Sequence, residues 1–244
     1  KFTQYNHRFR HYLMKNKIMN SITFTIHLLI YFSLYINSPK LCAYLIKVSL
    51  LKNSNIKKNN TPNNKIVILL YRSIGIRDIQ IISKFSNKIP EILILRRSIV
   101  KVILKYFFYK KNIFFTFNKS KPSQKEYFTQ NKNDKKKHEE FWTKLIFHLQ
   151  NYYNKKLNFV TFAYYYYVEN GLYAGCKNNK IPVKLWNKEC FMSDSDVEYR
   201  TKINEYKYVF KFFNKISTYN NLMKRMLIGM DKSYNKKITV NGCP

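Results

Sequence analysis

The residues best placed to do chemistry lie in the run Trp186-Asn187-Lys188-Glu189-Cys190, where a carboxylate and an ammonium follow a short apolar stretch. A loop with Ser193, Asp194, Ser195 and Asp196 comes next. A carboxylate at such a position can act as a general base, and a neighbouring ammonium can hold an anionic group. The same two charges also read as a solvated ion pair of little consequence. A second candidate is Leu70-Tyr-Arg-Ser-Ile-Gly75, which would offer Arg72 to an anion and let a ligand approach the backbone at Gly75. One glycine falls short of a nucleotide-binding G-x-G-x-x-G, so the turn carries no such fingerprint. Third is the tyrosine run 164–167, whose rings, Tyr165 among them, could stack on a sugar or base. Packing of part of the run into the core is the simpler reading.

Metal chemistry finds no support. His7 and His11 stand four apart and would share a helical face, but no third ligand accompanies them. Cys42, Cys176, Cys190 and Cys243 have no C-x-x-C spacing and read as reduced thiols of a cytosolic protein. There is no H-E-x-x-H, Walker loop or G-x-S-x-G, and no aromatic-rich RNA-binding signature.

The 244 residues carry a formal charge of +32, which invites an anionic partner. Of the 45 basic residues, however, only 8 are Arg. Nucleic-acid readers favour Arg, whose planar fork grips phosphates and guanine edges. Lys, Asn, Ile, Tyr and Phe, abundant here, all have AT-rich codons, so genome bias alone could raise the charge. With 45% hydrophobic and 17% aromatic residues the chain can bury a core, which excludes global disorder.

Positioning these residues requires regular elements. The longest apolar run, Ile22 to Ile36, is too short to span a bilayer easily and holds His27 mid-way. It predicts a docking helix or an interfacial one, and the basic residues before it keep the interfacial reading open. Residues 1–64 are expected as a helical segment and linker, with Lys/Asn-rich residues 52–64 as the linker. From Lys65 onward, continuous β-branched runs at Lys65–Leu70 and Ile92–Leu95 read as strands buried on both faces. Further strands are expected near Asn158–Phe162, Ile181–Trp186, Lys215–Tyr219 and Lys237–Val240. Helices are expected between them: Arg77–Ser86, Ser98–Phe108, His138–Tyr153, Val168–Asn178, from the capping-box pattern Ser195-x-x-Glu198 onward with an apolar face of Tyr199, Ile203, Tyr206, Phe210 and Phe213, and Asn220–Met230. The Lys-rich stretch 118–137 reads as a mobile insertion. This alternation predicts an α/β fold: a Rossmann-like parallel sheet of at least five strands over residues 65–244, with helices on both faces.

Near the carboxyl end, Lys215-Ile-Ser-Thr-Tyr-Asn220, the helix with Lys224 and Lys237-Ile-Thr-Val-Asn-Gly-Cys-Pro244 together resemble a stretch of bacterial surface-polysaccharide glycosyltransferases of the GT-B type. Ile181-Pro-Val and Lys188-Glu189 resemble another segment of that family, with Asn187 where a histidine is usual. The resemblance covers roughly Lys65 to Pro244. It implies the amino-terminal, acceptor-side half of a cytoplasmic enzyme of cell-envelope carbohydrate synthesis, free or peripheral on the inner face of the membrane. A nucleotide sugar would then be the donor substrate, held mainly by a second domain beyond this chain, with no cofactor or metal. The acceptor would be a lipid-linked or oligosaccharide chain. From their places after expected strands, at the ligand edge of such a sheet, Glu189 and Lys188 are expected for catalysis, and Arg72, Gly75, Tyr165, Asn187, Asn220 and Gly242 for substrate or hinge. The rival reading is a basic RNA-binding or ribosomal protein without catalytic activity, the only case in which nucleic acid is a partner.

Overall fold

The computed structural model describes residues 21–52, 65–70, 91–109, 112–162, 167–186, 194–202 and 210–241. Among the described residues seven strands form one sheet: β1 (Leu51–Lys52), β2 (Lys65–Leu70), β3 (Glu91–Leu95), β4 (Lys156–Thr161), β5 (Val183–Trp186), β6 (Lys215–Thr218) and β7 (Ile238–Val240). Their order is β1-β3-β2-β4-β5-β6-β7. The six strands from β2 to β7 are all parallel, and only β1 runs antiparallel, at the edge beside β3. This is the Rossmann-like α/β architecture that the continuous apolar strands predict.

The α-helices within the described residues are α1 (21–35), α2 (Pro39–Ser49), α3 (Arg97–Phe108), α4 (Ile113–Asn118), α5 (Gln124–Thr129), α6 (Lys132–Tyr153), α7 (Asn170–Asn178), α8 (Asp194–Thr201) and α9 (Asn221–Met230), and Phe210 is also helical. Side chains alternate across a strand, so each strand offers two faces. Ile68, Leu93, Leu95, Phe159, Leu185 and Ile216 point to one of them and join a single core with residues of the helical layer. On the opposite face Val67, Ile92, Val160 and Trp186 gather around Phe162. Steps from β3 to β4, β5, β6 and β7 all run in one direction, and right-handed crossovers then place their helices on one face. Only the step from β2 to β3 runs the other way. The helix expected in its connection, Arg77–Ser86, lies outside the described residues.

Helix α6 is the spine of the helical layer. Trp142, Leu145, Ile146 and Leu149 follow the helical repeat and are each at most 1% exposed. Burying one such side chain stabilises by roughly 1.5–3 kcal/mol. Helix α7 crosses α6 where Gly175 brings the two backbones together: a Cβ there would lie 2.8 Å from the Trp142 carbonyl carbon.

Helix α1 docks through Ile30, Tyr31 and Leu34. Polar contacts tie it to α3 as well: His27 Nε2 is 3.0 Å from Ser98 Oγ, and the Tyr106 hydroxyl donates to the Leu34 carbonyl at 2.9 Å. The docking-helix reading therefore describes its inner side. The chain turns through Asn37 in the left-handed region (φ 51°), and Ser38 caps α2 by accepting from the Leu41 N–H. Among the described residues no helix is long and apolar enough to cross a membrane.

Three local expectations change. The stretch 118–137, expected as an insertion, holds α5 and the first turns of α6. There Ser123 and Glu126 form a capping box, each side chain bonding the other's backbone N–H, and Tyr127 is buried. Helix α8, by contrast, starts at Asp194, so Ser195 lies within it and does not open it. Tyr199, expected on an apolar face, is 69% exposed. Phe210 and Phe213, expected on the same face, are buried, and residues 203–209 between lie outside the described residues. Strand β1, too short to show a period, had no counterpart in the sequence reading.

Candidate functional site

In parallel α/β sheets ligands bind beyond the carboxyl ends of the strands, where the strand order reverses. The reversal here is at β2, which is flanked by β3 on one side and β4 on the other. The residues following β3 and β4 at this edge build a buried polar cluster. Arg97 opens α3 directly after β3, and its Nε lies 3.0 Å from Oε1 of Glu169. Glu169 ends the 3₁₀ turn Tyr167–Glu169 that leads into α7 and is 1% exposed. Its Oε2 accepts from the Tyr173 hydroxyl at 2.5 Å, one helical turn on. Thr161, the last residue of β4, is buried beside this pair and hydrogen-bonds Tyr173.

The electrostatics follow from burial. Tyr173 is pushed well above its ordinary pKa, first by desolvation and then by the Glu169 charge, so its hydroxyl remains a donor. Glu169 is therefore an acceptor held by a cation and a phenol, an arrangement that positions rather than exchanges protons. Next to it Asn170 is fully buried, and neither its amide nitrogen nor its oxygen has a hydrogen-bond partner. Buried amides are normally paired, so this group can serve a small polar ligand or an ordered water at the edge.

His138, on α6, is packed against Gly171 of α7 and accepts from Trp142 Nε1–H at 3.0 Å. Burial holds it far below its ordinary pKa, at about 3, so it is neutral near pH 7. No group of three or more His, Cys, Asp or Glu that could hold a metal is present among the described residues.

Of the expected catalytic and substrate-binding residues, only Asn220 is described. It follows β6 at the same carboxyl edge, and its Oδ1 accepts from the Met223 N–H at 2.9 Å, capping α9. Arg72, Gly75, Tyr165, Asn187, Lys188, Glu189 and Gly242 lie outside the described residues. The strands that precede them, β2, β4, β5 and β7, are parallel and end at one edge. Tyr167, last of the tyrosine run, is buried; its hydroxyl donates to the Pro122 carbonyl and its ring lies 5.0 Å from that of Tyr127. That tyrosine packs in the core.

Sequence reading missed Arg97, Glu169, Asn170 and Tyr173. A signal existed: Glu169 is one of only 13 acidic residues and lies between a strand and the helix that follows it. A separate cleft of about 330 Å³ opens between the α1–α2 turn, α3 and α6, near Asn37, Tyr106 and Glu140. Helices and a turn line it, and no strand does, so it is not the crevice at the switch point. Comparison with protein-family models, curated proteins and solved structures finds no match to this chain.

Proposed function

We propose that the chain is the acceptor-side half of a glycosyltransferase that moves a sugar from a nucleotide-activated donor to a growing cell-envelope carbohydrate. The observation that carries this reading is the reversal of strand order at β2, with the buried Arg97–Glu169–Tyr173 cluster beside it. An open parallel sheet of this kind presents one edge to a ligand, and a facing second domain would complete the cleft. Support also comes from the resemblance of Lys215–Asn220, Lys224 and Lys237–Pro244 to GT-B transferases of surface polysaccharides. Such an enzyme works on the cytoplasmic side of the cell membrane, where activated sugars are made. In this reading Glu189 activates the acceptor hydroxyl as a base, and Lys188 and Arg72 contact anionic groups of the substrates. Arg97, fixed by Glu169, shapes the acceptor side of the crevice.

The test uses the complete reading frame, incubated with radiolabelled nucleotide sugars and a lipid extract of the source cells. Label should move to the lipid or polymer fraction, and Glu189→Gln should lower turnover by about a hundredfold or more, the usual contribution of a general base. Turnover unchanged in Glu189→Gln, with a lowered melting temperature, would make the Lys188–Glu189 pair structural. No transfer with any donor, together with tight RNA retention on a filter, would replace the reading by the nucleic-acid one.

A further inference from the structure

Helix α1 buries one side against α3 and leaves the other uncovered. Phe24, Leu28, Phe32 and Tyr35 recur at helical spacing and, with Leu29 and Ile36, are all exposed. Phe32 is 56% and Tyr35 63% accessible, high for residues of their size. Between Lys17 and Lys40 the chain has no charged residue, so this surface has no charge of its own. A contiguous apolar helix face on a protein surface marks an interaction site.

The charge of the sequence that flanks it points to one occupant. The first 77 residues hold 13 Lys and Arg and no Asp or Glu; the first acidic residue is Asp78. Lys40, at the start of α2 just past the α1–α2 turn, is exposed, and Arg96 at the other end of α1 bonds Thr23. Two copies meeting through this face would bring like charges together, which costs free energy. An anionic lipid surface supplies both an apolar layer for the face and counter-charge for its surroundings. Among the described residues no helix, α1 included, is long and apolar enough to span. Its inner side is committed to α3 through His27–Ser98, Arg96–Thr23 and Tyr106–Leu34. It can therefore lie in an interface while staying part of the domain.

We propose that the exposed face of α1 seats in the interfacial region of an anionic phospholipid bilayer, with neighbouring Lys and Arg side chains on the headgroups. The inference stands apart from the transferase reading, since any protein with this surface would share it.

The experiment is co-sedimentation of the chain with phosphatidylcholine vesicles, with and without phosphatidylglycerol, at low and high salt. Charge alone draws so basic a chain to anionic vesicles, so the deciding comparison is between variants. Leu28→Ser/Phe32→Ser should weaken partition by about tenfold, and the loss should persist at high salt, because burial of apolar surface is not screened. Phe147→Ser removes an equally exposed ring from α6 and should leave partition unchanged. Circular dichroism melting of each variant shows that the fold is retained. Equal partition of the wild type and the double variant would overturn the proposal, as would equal loss in Phe147→Ser. A dimer in solution that the double variant dissociates, without vesicle binding by the wild type, would assign the face to a second copy and overturn it too.

Discussion

Arg97 and Glu169 meet across 72 residues of sequence, the guanidinium Nε 3.0 Å from a carboxylate oxygen that is almost wholly buried. The pair links the starts of α3 and α7, beyond the carboxyl ends of β3 and β4, the two strands that flank β2. Taking both charges out of water is costly, and their attraction roughly offsets that cost. The expense appears when one partner is removed. Glu169→Gln or Arg97→Met alone should each destabilise by about 3 kcal/mol, whereas the double variant should cost clearly less than the sum. Urea unfolding of the three variants measures this; strict additivity would show that the two charges do not interact.

Two glycines offer opposite outcomes for the same substitution. At Gly175 an added Cβ meets backbone atoms of Trp142 at 2.8 Å and of Thr143 at 3.1 Å, which cannot rotate away. At Gly229 it meets only the Thr201 side chain, at 3.0 Å. Alanine gains up to about 1 kcal/mol of helix propensity in both places. Gly175→Ala should still lose about 2 kcal/mol by forcing α6 and α7 apart, while Gly229→Ala should be neutral or slightly stabilising. A stabilised Gly175→Ala would mean that α7 does not cross α6 this closely.

The difference between what the sequence disclosed and what it hid follows from where the information lies. Lys65–Leu70 announces itself as β2 because a strand buried on both faces must be continuously apolar, and few other elements are. Ser98–Phe108 marks α3 to within one residue because its apolar residues keep the helical period. The helix within 118–137 was not legible because Lys residues dominate the composition, while the residues that fold it are few: Ser123, Glu126 and the buried Tyr127. The Arg97–Glu169 pair was invisible for another reason. Neither residue belongs to a local motif, and only the crossover from β3 to β4 brings them together.

His138 gives the protein an acid-sensitive element. Its folded-state pKa of about 3 lies below the ordinary 6.5, because burial disfavours the charged ring. The unfolded chain therefore binds the extra proton between these values, and stability falls as pH drops through that window. Above pH 6.5 the residue contributes no slope. His27 is lowered too, by burial first and then by the charges of Arg96 and Lys105, and acts with the same sign. Between pH 6 and 4, replacing His138 by Gln should remove a slope of roughly 1.4 kcal/mol per pH unit. Parallel slopes for wild type and His138→Gln would mean that the ring is solvated or already charged in the folded state.

Cysteine reactivity should divide along burial. Burial pushes the Cys42 thiol up to about 12, and Cys176 well above its ordinary value. Both are free and buried, so neither thiolate nor access is provided. Iodoacetamide at about pH 8 should leave both unmodified in the native chain and label both once urea is added. Peptide mass spectrometry resolves each site, and native labelling of Cys176 would contradict the close packing of α7 on the core.

Asn220 separates a structural role from a binding one. Its Oδ1 already serves the Met223 N–H at the start of α9, so Asn220→Ala should cost about 1 kcal/mol as a lost cap. Asp keeps the accepting oxygen and removes the amide donor. Asn220→Asp should thus hold stability near that of the wild type while changing whatever the amide offers to a ligand at the carboxyl edge. In the complete transferase proposed above, that loss should raise the acceptor KM and leave the urea midpoint unchanged, a split that a purely structural residue cannot produce. Should Asn220→Asp match the wild type in both stability and kinetics, Asn220 is a helix cap alone, and the substrate contacts at this edge must come from the residues after β2, β4 and β5.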